Sequence, residues 1–232
     1  MTSGGSRYRD GARDALPVVL GYIAIGLAFG VVAQTAGITT AEVLLMSLIL
    51  YAGSAQFVTV GLIVAGAPAT AIVATIFLVN VRHLLYSTAL SPHVRGLKAW
   101  QNALIGAELT DETFAVASGC LSTGRRASAP WLLGINNASH ATWIACTTLG
   151  ALLGSSVSNT RALGLDFALA AMFAALLVLQ IVNRPRMRAA VGAAAAGAAT
   201  GLLGILVMPA GWAVIAATLV AATLGVILEG GS

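Results

Sequence analysis

Three carboxylates, Glu108, Asp111 and Glu112, sit inside one apolar stretch, residues 102–122. Near a helix centre each costs about 2.5–3.5 kcal/mol to insert into a bilayer, while strongly apolar neighbours such as Leu104, Ile105 and Phe114 return only about 0.3–0.6 kcal/mol apiece. Such a segment has to be held by neighbouring helices and to face protein or water. On a continuous helix the three lie at i, i+3 and i+4 and share one face. Crowding in a low dielectric favours keeping a proton on at least one of them, as a proton-carrying group requires. The competing reading is a wet loop, which would change the count of membrane spans.

Other costly polar residues punctuate the chain. Arg82, in the stretch Asn80-Val81-Arg82-His83, needs a carboxylate or carbonyl partner, and the carboxylates of 102–122 are candidates; near the outer end of its span it would snorkel to the interface instead. His83 can titrate near neutrality and relay protons, or serve a structural hydrogen bond. Gly53, Ser54 and Gln56 fall in the middle of an apolar stretch. They fit a broken helix whose ends hold a substrate carboxylate or ammonium, and equally close helix packing through small residues. Asn136, His140 and Trp143 are spaced to share a helix face, though a polar helix end near the cytoplasm would also explain them. No cysteine or carboxylate lies at a metal-ligand spacing from His140. There is no GxSxG, HExxH, Walker loop or CxxC, so neither an enzyme nor an ATP-driven pump is expected, no metal or other cofactor is called for, and energy has to come from an ion gradient.

These residues stand out because the rest of the chain is so apolar. Of 232 residues, 58% are hydrophobic and 9% charged, against roughly 25% charged in a soluble domain. That excludes a soluble globule and a disordered chain, and the 26 glycines lack the three-residue period of collagen. The expected architecture is an all-α, polytopic membrane helix bundle of about eight transmembrane helices, with broken helices among them. A polar cytoplasmic tail, 1–15, precedes a single transport domain, 16–230. The candidate spans are 16–36, 43–66, 69–90, 102–122, 131–154, 166–183, 188–207 and 210–229. Tight turns are expected at Gly66-Ala67-Pro68, Arg184-Pro185-Arg186 and Met208-Pro209-Ala210-Gly211. The net charge of +4 is a topology signal, not one for nucleic acid. With the N-terminus inside, Arg7, Arg9, Arg13, Arg125, Arg126, Arg184, Arg186 and Arg188 face the cytoplasm, and Arg95, Lys98 and Arg161 face outward, which favours N-in and C-in. Gly26 and Gly30, and Gly197 and Gly201, form GxxxG packing surfaces. Cys120 and Cys146 are expected to be free, reduced thiols.

The stretch Ala52-Gly53-Ser54-Ala55-Gln56-Phe57 resembles the AGSAQF motif of the AzlC family, the large subunit of two-component branched-chain amino acid exporters. Residues 21–30, 77–86 and 110–114 agree with that family in order and spacing. The resemblance implies a multi-pass cell-membrane secondary transporter exporting leucine, isoleucine and valine, extending to methionine, with a small AzlD-type membrane subunit as partner. In the expected mechanism Gly53, Ser54, Gln56 and Asn80 bind the zwitterionic backbone of the amino acid. Arg82, His83, Glu108, Asp111 and Glu112 couple its export to proton antiport by alternating access. The alternatives are a transporter of another small metabolite on the same scaffold, a cation channel with a carboxylate ring, and a scaffold subunit without a pathway of its own.

Overall fold

Capping side chains and glycine turns set several of the helix boundaries within the apolar stretches. The computed structural model describes residues 7–156, 187–208 and 210–230, with Phe167, Ala174 and Val178 between them. All regular structure among these residues is helical. They divide into two compact units, Met1–Ala170 and Ala171–Ser232. The expected span 166–183 and the turn Arg184-Pro185-Arg186, like Arg161, lie outside the described residues apart from the three isolated positions.

In the first unit, helix α1 (Tyr8–Asp14) leads directly into α2 (Leu16–Thr35). The expected span 43–66 is two helices, α3 (Thr40–Ile49) and α4 (Gly53–Val64), separated by Leu50, Tyr51 and Ala52. The span 69–90 becomes α5 (Ala69–Asn80) and α6 (Arg82–Val94), interrupted at Val81. The span 102–122 becomes α7 (Ala99–Ala107) and α8 (Asp111–Ser122). α2 and α9 (Ala129–Gly154) run unbroken through their expected spans. By length and composition, Leu16–Thr35 and the joined Ala69–Val94 are apolar enough to cross a membrane. The half-helices on either side of the other breaks are individually shorter than the roughly 20 residues a crossing needs.

Local chemistry sets these boundaries. Thr39 and Glu42 form a reciprocal capping box at the start of α3. Thr110 caps α8, its Oγ1 accepting from Thr113 N at 3.3 Å while its own N–H donates to Thr113 Oγ1 at 2.8 Å. This cap restarts the helix after Glu108 and overturns the expectation that Glu108, Asp111 and Glu112 share one helix face. α4 ends with Gly66 at φ +68°, where Ala67 N bonds Leu62 O and Gly66 N bonds Ile63 O. That is a Schellman stop, followed by Pro68.

Helix α9 is the centre of the unit, packing along α2 and against α1, α3, α7 and α8. A Cβ on Gly30 would collide with the Thr147 carbonyl and Ala151 N, and one on Gly26 would meet Cys146 Cβ at 3.0 Å. The GxxxG of α2 is therefore a packing surface, answered by Gly150 and Gly154 of α9. Later residues of α2 meet later residues of α9, so the two run parallel. Trp131, Leu132 and Ile135 bury one end of the core with Ile105 and Leu121, and Phe29, Val43 and Trp143 bury the other. Both cysteines are free thiols. In the second unit, α10 (Met187–Gly204) packs on α11 (Ala210–Gly230), with Gly197 against Ala221, Gly201 against Ala217 and Gly204 against Ala213.

Candidate functional site

The three interruptions of the first unit open onto one cleft. Its volume is about 180 Å³, and it is lined by Ile49–Ala52 from the first break, Asn80 and His83 from the second, and Gly106, Ala107 and Leu109 from the third. Interrupted helices present unpaired backbone groups, which non-helical chain at membrane depth can do only where protein or a cavity receives them.

Beside the cleft lies an ion pair. Arg82, the first residue of α6, holds Asp111, the first residue of α8, with Nη1 2.8 Å from Oδ2. Its Nη2 donates to Ser54 Oγ in the first turn of α4. One guanidinium thus ties together the starts of the three helices that follow the breaks. The pair is not saturated: Arg82 Nε, Asp111 Oδ1 and the nearby Asn80 Oδ1 are buried without a hydrogen-bond partner. Such groups are costly unless something polar reaches them.

Residues 17–157 match the family described as AzlC protein. The chain belongs to the AzlC family. It is 33% identical to "Inner membrane protein YgaZ" of Escherichia coli (strain K12), over 86% of this chain and 82% of that protein. It is 34% identical to an uncharacterized membrane protein of Archaeoglobus fulgidus, over 88% and 89%. It is 27% identical to "Branched-chain amino acid transport protein AzlC" of Bacillus subtilis (strain 168), over 75% and 67%. No solved structure matches it significantly.

The remaining expected site residues of this AzlC chain divide between the cleft and its walls. Asn80 and His83 face the cleft, and His83 Nδ1 donates to the Asn80 carbonyl at 3.0 Å, occupying the oxygen freed by the break. Gly53 does not open onto it: a Cβ there would meet the Trp143 ring at 3.0 Å. Both readings of that motif therefore hold, a break just before Gly53 and close packing at it. Gln56 is fully buried in a wall, its Nε2 donating to Ser47 Oγ at 3.1 Å and its Oε1 accepting from Trp143 Nε1 at 2.7 Å. Ser47 Oγ in turn pairs with Thr147 Oγ1 at 2.8 Å.

The carboxylates separate. Asp111 goes to Arg82, and Glu112 accepts from Tyr22 OH at 2.8 Å. Glu108 turns to α9, where Asn137 Nδ2 donates to its Oε2 at 2.6 Å and His140 Nδ1 stands 3.5 Å from its Oε1. Tyr51, at the first break, stacks on His140 with ring centroids 4.0 Å apart. Tyr22, Ser47 and Tyr51 were not singled out from the sequence, because a lone hydroxyl in an apolar helix is an ordinary packing residue. A signal was present at His140, whose spacing from Asn136 and Trp143 marked a polar face.

Proposed function

We propose that the chain is the large subunit of a two-component secondary transporter that exports leucine, isoleucine and valine across the cell membrane by alternating access, in exchange for protons. The observation that carries this reading is the unsatisfied set at the helix breaks. A zwitterionic amino acid offers an ammonium, which suits the acceptors Asp111 Oδ1 and Asn80 Oδ1, and a carboxylate, which suits the donor Arg82 Nε. Ile49, Leu50 and Leu109 line the adjoining cleft and suit a branched apolar side chain. The carboxylates and His83 beside it supply groups for proton coupling. The name of the Bacillus subtilis relative supports the substrate class, and the family resemblance supports a small AzlD-type membrane partner.

Eight spans with both termini inside fit the loop charges. The contacts of Asp14 with Arg125 and with Trp131 Nε1 at 2.8 Å support this by joining the tail to the loop before α9. So does the parallel course of α2 and α9, which requires an odd number of crossings between them, as the three expected spans 43–66, 69–90 and 102–122 supply. Impermeant thiol labelling of cysteines placed in the tail and at Arg126 should report the cytoplasmic side for both. To test transport, the chain and its partner are reconstituted in liposomes and leucine efflux is followed under an imposed pH gradient. Branched-chain amino acids should win a counterflow panel, and an inward-directed proton gradient should drive leucine efflux. Efflux indifferent to the pH gradient rejects antiport, and a different counterflow winner rejects the substrate.

A further inference from the structure

His140 lies on α9, outside the Arg82–Asp111 pair, and both of its ring nitrogens face acceptors. Nε2 is 3.0 Å from the Ser47 carbonyl oxygen and Nδ1 is 3.5 Å from Glu108 Oε1. A neutral imidazole has one N–H and can donate to only one of them; the imidazolium donates to both. The Ser47 carbonyl belongs to the last turn of α3, where a helix end leaves carbonyls without intrahelical partners, and Glu108 is the residue that ends α7. The ring is fixed by Tyr51, stacked on it from the first break at an interplanar angle of 18°.

We infer that the His140–Glu108 pair is the proton-binding site of this protein, and that its protonation state governs the breaks between α3 and α4 and between α7 and α8. The inference rests on the antiport reading above and names the group that carries the proton. Asp111 is unsuited to that task, because its partner Arg82 is a permanent cation. Glu108 has a countercharge that can itself titrate. Releasing one proton from His140 to water leaves a single N–H, so either the Ser47 carbonyl or the Glu108 carboxylate loses its donor; taking one proton back restores both contacts. The groups facing the imidazole are Glu108 from the end of α7, Tyr51 and Ser47 from around the first break, and Asn137 from α9 itself through their shared carboxylate. Beyond Tyr51, the next carboxylate is Glu112, engaged by Tyr22.

The direct test is nitrogen NMR of the full chain in bilayers, ¹⁵N-labelled at histidine and carrying His83→Gln and His93→Gln so that only His140 reports. Both ring nitrogens should be protonated on the acid side of a transition between pH 5 and 9, with one losing its proton above it. In Glu108→Gln the midpoint should shift by about one pH unit or more. A single neutral tautomer throughout that range, or a midpoint indifferent to Glu108→Gln, overturns the inference. In liposomes with the partner subunit, His140→Gln should keep leucine counterflow and lose the response to a pH gradient. A coupled wild type with an equally coupled His140→Gln overturns this inference and leaves antiport standing; a wild type with no pH-driven flux overturns both.

Discussion

At the scale of single residues, the tightest constraint is the guanidinium of Arg82, which joins α4, α6 and α8 through Ser54 and Asp111. Removing one partner of a largely buried ion pair strands the other charge, an effect on the order of 3 kcal/mol. Arg82→Gln should therefore lower the melting temperature in detergent well below that of the Arg82→Gln/Asp111→Asn double variant, in which no charge is stranded. Equal melting temperatures for the two would show that the pair is not a structural tie. That Arg82 takes a carboxylate or carbonyl partner, unless it snorkels to the interface, was legible in the sequence, because an arginine in an apolar span has few options. Which of three neighbouring carboxylates it takes was not. That depends on Thr110, whose cap breaks the helix and sends Glu108, Asp111 and Glu112 to three different partners. Gln56 shows the other limit. Its partner Trp143 lies 87 residues away in the chain, and spacing carries no information about which distant helices meet.

At the scale of elements, hydropathy marks the apolar stretches and small residues mark where backbones touch. Gly30 of α2 lies so close to α9 that any side chain would strike backbone atoms of Thr147 and Ala151. Gly30→Val should destabilise by about 3 kcal/mol or more, since neither helix can yield locally. Gly21, on the same helix, has open space around the corresponding position, and Gly21→Ala should be neutral or favourable by up to about 1 kcal/mol through helix propensity. Thermal melts of the two variants decide; equal losses would contradict this packing. The breaks were less legible than the helices. A discontinuity near Gly53 could be read from Gly53, Ser54 and Gln56, whereas the interruption at Val81 has no such marker. That at Glu108–Thr110 looked like a helix face, because three acids at i, i+3 and i+4 fit a helix and a helix restart equally well.

At the scale of the whole molecule, the first unit assembles three interrupted helices around a parallel α2–α9 pair. The ends of those helices surround a cleft about the size of a small amino acid. Membrane character, helical class and family were all legible from composition and four motifs. The cleft was not, because it is made of backbone ends and short apolar side chains that leave no compositional trace. The central claim is that this cleft receives the transported amino acid. Ala107, at the end of α7, lines it and is exposed. The most direct measurement is the rate at which a thiol introduced by Ala107→Cys, with Cys120 and Cys146 replaced by alanine, reacts with a maleimide in liposomes. Leucine, isoleucine and valine should slow that reaction in a saturable way while glutamate and lysine leave it unchanged; a rate indifferent to branched-chain amino acids would contradict the account.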